Sequence, residues 1–146
     1  MRIRVSINTS AVAEKIWPLL VEPESILKWC RGIKKMRCTG EQRSGLKTRF
    51  YFEERAVGQL MKLNFIITEW VVNEKVAFQM TSGNLVKGYE QEYVIEATPS
   101  GSHITCFEDV QMPYGIMGKV AGLLRRYVSE AHLRDMLVNL KALAEA

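Results

Sequence analysis

The sequence predicts an α+β fold in which a curved antiparallel sheet grips one long C-terminal helix. Three observations carry that reading. Between Ile33 and Gln111 apolar residues recur at every second position, and clusters of turn-forming residues separate the runs. Pro113 to Ala146 then switches to helical spacing. Ahead of the sheet stand one strand and two short helical stretches. Consecutive strands joined by short connections pair antiparallel, and a sheet covered by helix on one face belongs to the α+β class.

Arg2 to Asn8 sets Ile3, Val5 and Ile7 on one face of a first strand. Ser10 is placed to cap the next helix, and Glu14 suits its positive N-terminal end. Val12, Ile16 and Leu19 or Leu20 supply the apolar stripe, and Pro18 is expected to kink or end that helix early. Pro23, between Glu22 and Glu24, favours the first turn of a second short helix through Ile26, Leu27 and Trp29. Gly32 closes this section. Strands are then expected over Ile33–Glu41, Lys47–Val57, Leu60–Val71, Lys75–Thr81, Val86–Ala97 and Ser102–Gln111. The breaks between them are Arg43-Ser44-Gly45, Gly58-Gln59, Asn73-Glu74, Ser82-Gly83-Asn84 and Pro99-Ser100-Gly101.

The final helix has two characters. Gly115, Gly118 and Gly122 stud its first turns, whereas Leu133, Met136, Leu137, Leu140 and Leu143 finish it. A glycine costs about 1 kcal/mol against alanine inside a helix. The glycine-rich half is therefore expected where something approaches closely, or where the sheet stands away and leaves a cavity. Lys119, Arg126, Glu130, Arg134 and Lys141 give the helix a solvated outer face, the pattern of a monomer or weak dimer.

At 146 residues the chain is expected to form one domain, residues 1–146, long enough to build a core without disulfides. The opening residues alternate polar and apolar and lack a signal peptide's apolar block. No apolar run approaches the roughly 20 residues of a membrane helix. The expectation is a cytoplasmic protein. Cys30, Cys38 and Cys106 have no C-x-x-C spacing, and His103 and His132 sit in no ligand motif, so no metal site is expected. Cys38 and Cys106 read as buried small hydrophobes. Neither a nucleotide-binding loop nor a Ser/His/Asp or Cys/His arrangement is present. The net charge of +4 is unevenly spread. Lys28, Arg31, Lys34, Lys35, Arg37, Arg43, Lys47 and Arg49 crowd one stretch, opposed there only by Glu41. Such a surface can attract an acidic membrane, a protein or an RNA. It lacks the interleaved aromatic residues of single-strand binders, so no specific nucleic acid is expected.

The element order resembles the helix-grip fold of the START/SRPBCC superfamily. Ile3–Asn8 followed by Ala13-Glu14-Lys15-Ile16-Trp17-Pro18-Leu19-Leu20 is similar to its opening strand and helix. Glu22-Pro23-Glu24 leading to Lys28-Trp29 resembles its second helix. Thr68-Glu69-Trp70, Asn73-Glu74-Lys75-Val76-Ala77-Phe78 and the Pro99-Ser100-Gly101 hairpin resemble its middle strands. The likeness covers essentially the whole chain. It implies a hydrophobic cavity for a lipid, isoprenoid, polyketide or sterol-like molecule, held by a carrier or sensor. It also implies an alternative, a cyclase or dehydratase working without metal or nucleotide cofactor.

With the richer apolar face of each strand inward, Phe50, Phe52, Met61, Leu63, Phe65, Phe78, Met80, Tyr89 and Tyr93 would line the sheet side of the cavity. Met117, Val120, Leu124 and Tyr127 would come from the helix, with Trp29 closing one end. An enzyme would need an acid/base group in that space. Glu108 takes the place if its strand faces inward with Ile104, Cys106 and Val110; Asp109, beside Phe107, takes it if the other face does. Tyr89, Gln91 and Tyr93 alternate on one strand face and can supply hydrogen bonds. Binding is preferred over catalysis, and the third reading is an interaction module using the basic 28–49 surface.

Overall fold

The structure is a computed structural model describing residues 2–56, 58–113, 122, 125 and 128–146. Among these residues, seven strands form one antiparallel sheet: β1 (Arg2–Thr9), β2 (Ile33–Thr39), β3 (Arg49–Ala56), β4 (Gln59–Val71), β5 (Lys75–Gly83), β6 (Gly88–Thr98) and β7 (Gly101–Gln111). Helices α1 (Ala13–Val21) and α2 (Pro23–Trp29) follow β1, and α3 (Glu130–Ala144) ends the chain. The strand order is β1-β7-β6-β5-β4-β3-β2. The expected α+β helix-grip arrangement is present, with a C-terminal helix against a curved sheet.

Hairpins connect β2 through β7 in sequence, whereas β1 pairs with β7 over Arg2↔Asp109 to Thr9↔Ser102. β1 and β2 therefore occupy opposite edges, and α1 and α2 must carry the chain across the sheet between them. This crossing supplies a roof. Ile16, Trp17, Leu20 and Val21 of α1 and Ile26 and Trp29 of α2 are buried beneath it. The hairpins use the expected turn chemistry: Asn73 adopts a left-handed backbone (φ 65°). At the β6–β7 turn, Gly101 lies so close to the Thr9 carbonyl that a side chain there would overlap it.

Three register shifts interrupt the ladders, one of them between Asn64 and Phe65, and the other two bring new residues to the inner side. The register shifts between Ile33 and Lys35 in β2, which brings Ile33 and Met36 to the same side although they are three apart. A second shift between Ile67 and Glu69 sets Ile67 opposite Phe78 and Trp70 opposite Val76, so Trp70 joins the inner side, its ring edge-to-face with Trp17 at 5.1 Å. Strict alternation misses both.

The helices depart from expectation in three places. Ser10 caps nothing: α1 starts after Val12, which makes no side-chain cap. Pro18 sits inside α1 without ending it, and the helix runs on to Val21. A proline forfeits a single N–H bond, and the burial of Leu20 and Val21 beyond it favours continuing the turn. The third departure is at the C-terminus. Ser129 has an extended backbone (φ −131°, ψ 154°), and its hydroxyl accepts the backbone N–H of His132 at 3.1 Å. α3 is therefore a new helix capped at Ser129, and an unbroken helix from Pro113 is excluded. Gly122 and Arg125 are helical and exposed, and no described residue lies within 4 Å of a side chain built at Gly122. Close approach by a described residue does not account for that glycine. Gly115 and Gly118 lie outside the described residues.

α3 buries Leu133, Leu137, Leu140 and Ala144 and packs chiefly on β1. Its end is tied to the β1 terminus: Glu145 Oε2 accepts the Thr9 hydroxyl at 2.7 Å and the Ser10 N–H at 3.2 Å. These two bonds hold the Glu145 carboxyl below its ordinary pKa. Leu137 has no exposure, so Leu137→Ala is expected to cost about 2–5 kcal/mol in urea denaturation. Ser129→Ala removes only the cap and is expected to cost about 1 kcal/mol in the same assay.

Candidate functional site

Directly paired residues on neighbouring strands share a face, and this rule builds the site. Ile3 and Val5 of β1 are buried and lie opposite Glu108 and Cys106 of β7. Cys106 faces Tyr93 of β6, Glu108 faces Gln91, and Gln91 faces Phe78 of β5. A row of inward side chains thus runs Ile67, Phe78, Gln91, Glu108, Ile3 across five strands. Of the two readings for β7, the Glu108 face is the inner one.

These rows enclose a cavity with a largely apolar wall. The sheet contributes Ile33 and Met36 from β2, Phe50, Phe52 and Glu54 from β3, Phe65 from β4 and Phe78 from β5. Tyr89, Gln91 and Tyr93 come from β6 and Glu108 from β7. The roof adds Leu20, Ile26, Trp29 and Cys30, and α3 adds His132 and Met136. The cavity has a volume of about 60 Å³. Ring contacts stiffen the wall: Phe52 on Phe65 at 5.1 Å, Phe65 on Tyr89 at 5.4 Å and Trp29 on Tyr93 at 6.0 Å. Trp29 also donates its indole N–H to the Leu19 carbonyl at 2.7 Å, which locks α1 to α2.

Glu108 is the polar centre of this wall. It is 3% exposed. The Tyr89 hydroxyl donates to Oε2 at 2.8 Å and the Gln91 amide donates to the same oxygen at 2.9 Å. Burial raises its pKa above the ordinary carboxylate value, and the two donors oppose the rise. Both donors meet one oxygen, so a proton held by this carboxyl belongs on Oε1. Glu54 is also buried, and a side chain at Gly32 would come within 2.8 Å of its Oε1. The α2–β2 connection therefore passes tightly over that carboxyl. Burial lowers the His132 pKa, with the Asp135 charge opposing, so the imidazole is neutral at neutral pH. Burial pushes the Cys30 and Cys106 thiols and the Tyr93 phenol well above their usual values. Neither buried thiol supplies a thiolate near neutrality. Cys38 is half-buried, more open than its sequence context implied. Among the described residues no group of three or more His, Cys, Asp or Glu is arranged to hold a metal ion.

Of the expected lining residues, Trp29, Phe50, Phe52, Phe65, Phe78, Tyr89 and Tyr93 reach the cavity. Met61 and Leu63 do not, although both are fully buried; Leu63 turns over Gly83, where a side chain would overlap its methyl. Met80 also stays off the wall. It lies past Gln79↔Glu90, the last β5–β6 pair, and is half-buried. Asp109 faces the outer side of the sheet with Arg2, Glu90 and Glu92, because adjacent strand residues point oppositely. Met117, Val120, Leu124 and Tyr127 lie outside the described residues. Sequence reasoning missed Glu54, His132, Met136, Ile33 and Met36, and the roof residues Leu20, Ile26 and Cys30. Glu54 continues the Phe50, Phe52 alternation, and His132 and Met136 are one helical turn apart, so those signals were available; the β2 pair depends on a bulge.

Residues 1–145 match the family described as polyketide cyclase / dehydrase and lipid transport. The chain belongs to this family. The START/SRPBCC resemblance thus holds across the chain. Comparison with curated proteins returns no match. Among solved structures, TTHA0849 from Thermus thermophilus superposes with a TM-score of 0.81 at 16% identity, covering 99% of this chain and 97% of that one. A START superfamily protein from Mycobacterium smegmatis gives 0.77 at 17% identity, covering 99% and 97%. The di-domain ARO/CYC StfQ of the steffimycin biosynthetic pathway gives 0.74 at 14% identity, covering 99% of this chain and 50% of that one. Likenesses at such identities concern the fold. Family and fold are consistent with hydrophobic-ligand binding or a polyketide-cyclase-like function. No helix of the described residues is long and apolar enough to cross a membrane.

Within this polyketide cyclase / dehydrase and lipid transport family member, the raised pKa of Glu108 has a measurable consequence. Below the ordinary glutamate pKa the folded and unfolded chains carry the same proton, and the shift contributes nothing. Between that value and the raised one, the unfolded chain ionises first, so stability falls as pH rises through the window. Glu108→Gln keeps an acceptor for Tyr89 and Gln91 and removes the titration. Its melting temperature is expected to match the native protein in acid and to exceed it at neutral pH. Parallel curves at every pH would show that Glu108 does not titrate abnormally.

Proposed function

We propose that the protein binds a small, mostly apolar molecule in the cavity between sheet and helices, as a carrier or sensor. One observation carries the reading: a ring-lined chamber holds two buried carboxyls, Glu54 and Glu108, and Tyr89 and Gln91 both donate to Oε2 of Glu108. Its apolar wall would desolvate the body of a ligand, and a few placed polar groups would orient one end. A protonated Oε1 on Glu108 would donate to a carbonyl or hydroxyl oxygen on that end. Larger ligands would enter by displacing Met36 and Met136, unbranched side chains that repack readily.

The same carboxyl favours a second reading, a cyclase- or dehydratase-type enzyme with Glu108 as the acid. Burial that raises a carboxyl pKa is how a site keeps a proton available at neutral pH. Two variants separate the readings. Phe65→Trp fills the chamber and is expected to weaken binding of the apolar fluorophore anilinonaphthalene sulfonate by about ten-fold, one pocket-sized loss of contact. Glu108→Gln is expected to leave that binding within a few-fold. Extraction of molecules bound to the protein from its own host, followed by mass spectrometry, supplies the natural ligand for the turnover assay. Retained binding with abolished turnover in Glu108→Gln would favour the enzyme, and unchanged fluorophore binding in Phe65→Trp would sink the cavity reading.

A further inference from the structure

The eight basic residues noted in the sequence are all exposed, and the fold gathers them at one edge of the sheet. Lys34, Lys35 and Arg37 lie on edge strand β2, Lys28 and Arg31 lead into it, Arg49 starts β3, and Arg43 and Lys47 sit in the loop between. Residues 28–49 carry eight Lys/Arg and one Glu, a net +7. The remaining residues carry twelve Lys/Arg against fifteen Asp/Glu, a net −3. The chain is therefore polar in charge. A Lys-rich edge strand discourages pairing with another sheet, but that does not account for Arg43 and Lys47, which stand in the loop beyond the strand.

The loop has a second feature. Gln42 Nε2 donates to the Ser44 carbonyl at 2.9 Å and to the Leu46 carbonyl at 2.7 Å. The Thr48 hydroxyl donates to the Gly45 carbonyl at 2.7 Å. The backbone is braced from within, and the brace leaves the Leu46 side chain 51% exposed between Arg43 and Lys47. An apolar side chain held out among cations suits a surface that is anionic outside and oily beneath.

The position matters as well. A groove beside the loop is lined by Trp17, Trp70, Cys38, Arg37 and Arg43, with Glu22 and Glu24 among the α1–α2 residues opposite. Met36 belongs to this groove and also to the inner cavity.

We propose that the α2–β2–β3 basic face docks on an anionic lipid bilayer, with Leu46 entering the interface. Lys and Arg near such a surface would be attracted by its negative potential, and salt would screen them. Nucleic acid shares the charge but offers Leu46 no apolar layer.

Co-sedimentation with phosphatidylcholine vesicles, with and without phosphatidylserine, tests the proposal. Binding is expected only with phosphatidylserine and is expected to fall with added salt. Each of Lys35→Glu, Arg37→Glu and Arg43→Glu should weaken it by about five-fold or more, the factor for one interfacial charge. Leu46→Ser, which leaves the charge unaltered, should weaken it with the salt dependence unchanged. Arg134→Glu, on the exposed face of α3, should leave it intact, and the melting temperature of each variant checks folding. Anilinonaphthalene sulfonate binding, followed in parallel, reports the cavity separately. Equal binding to pure phosphatidylcholine, equal loss in Arg134→Glu, or binding to single-stranded RNA with none to phosphatidylserine vesicles would overturn the docking.

Discussion

The pairing of β1 with β7 is the constraint on which the architecture turns. It unites two strands nearly a hundred residues apart and leaves β2 at the far edge. Because the chain must then cross the sheet between β1 and β2, α1 and α2 become a roof. The same ladder sets the phase of β7. Ile3 and Val5 have nowhere to go but the core, and their partners Glu108 and Cys106 follow them inward. A slip of one residue would turn Asp109 and Phe107 inward instead. The carboxyl at the centre of the cavity is therefore a consequence of sheet register.

Burying that carboxyl carries a cost that the fold meets partly with Tyr89 and partly with Gln91. Gln91 stands directly opposite Glu108, and Tyr89 reaches it from the same strand two residues away. Hydrogen bonds stabilise the charged form, while the surrounding rings disfavour it, and the second effect dominates. Among the described residues, both side-chain donors meet Oε2 and none meets Oε1. Whether the group anchors a ligand or passes a proton to it depends on what occupies the chamber, and the same geometry serves both.

Much of the fold was legible because its signals are local. Alternation located all seven strands, Pro23 located α2, and Pro99-Ser100-Gly101 located the last hairpin. Seven of the expected lining residues reach the cavity for the same reason. The errors have a common cause too. Ser10 had the right chemistry for a cap, but the chain turns into α1 only after Val12. Pro18 was expected to stop a helix that packing carries on to Val21. Ile33 and Met36 needed a bulge to share a face, and Leu63 needed Gly83 beneath it to turn away from the chamber. The helical spacing of Pro113 to Ala146 concealed a restart at Ser129, where a side-chain cap signals a helix beginning.

By itself, the sequence determined the strand-rich class, the inward apolar faces, the family resemblance and the charge crowded into residues 28–49. These follow from periodicity and composition, which are properties of neighbouring residues. Only the tertiary structure decided that Glu108 rather than Asp109 enters the cavity, that Tyr89 and Gln91 meet a single oxygen of it, and that Met36 joins Ile33 on the cavity wall. Each of those facts depends on the register of paired strands. Alternation states that two faces exist, and long-range pairing chooses which of them is buried.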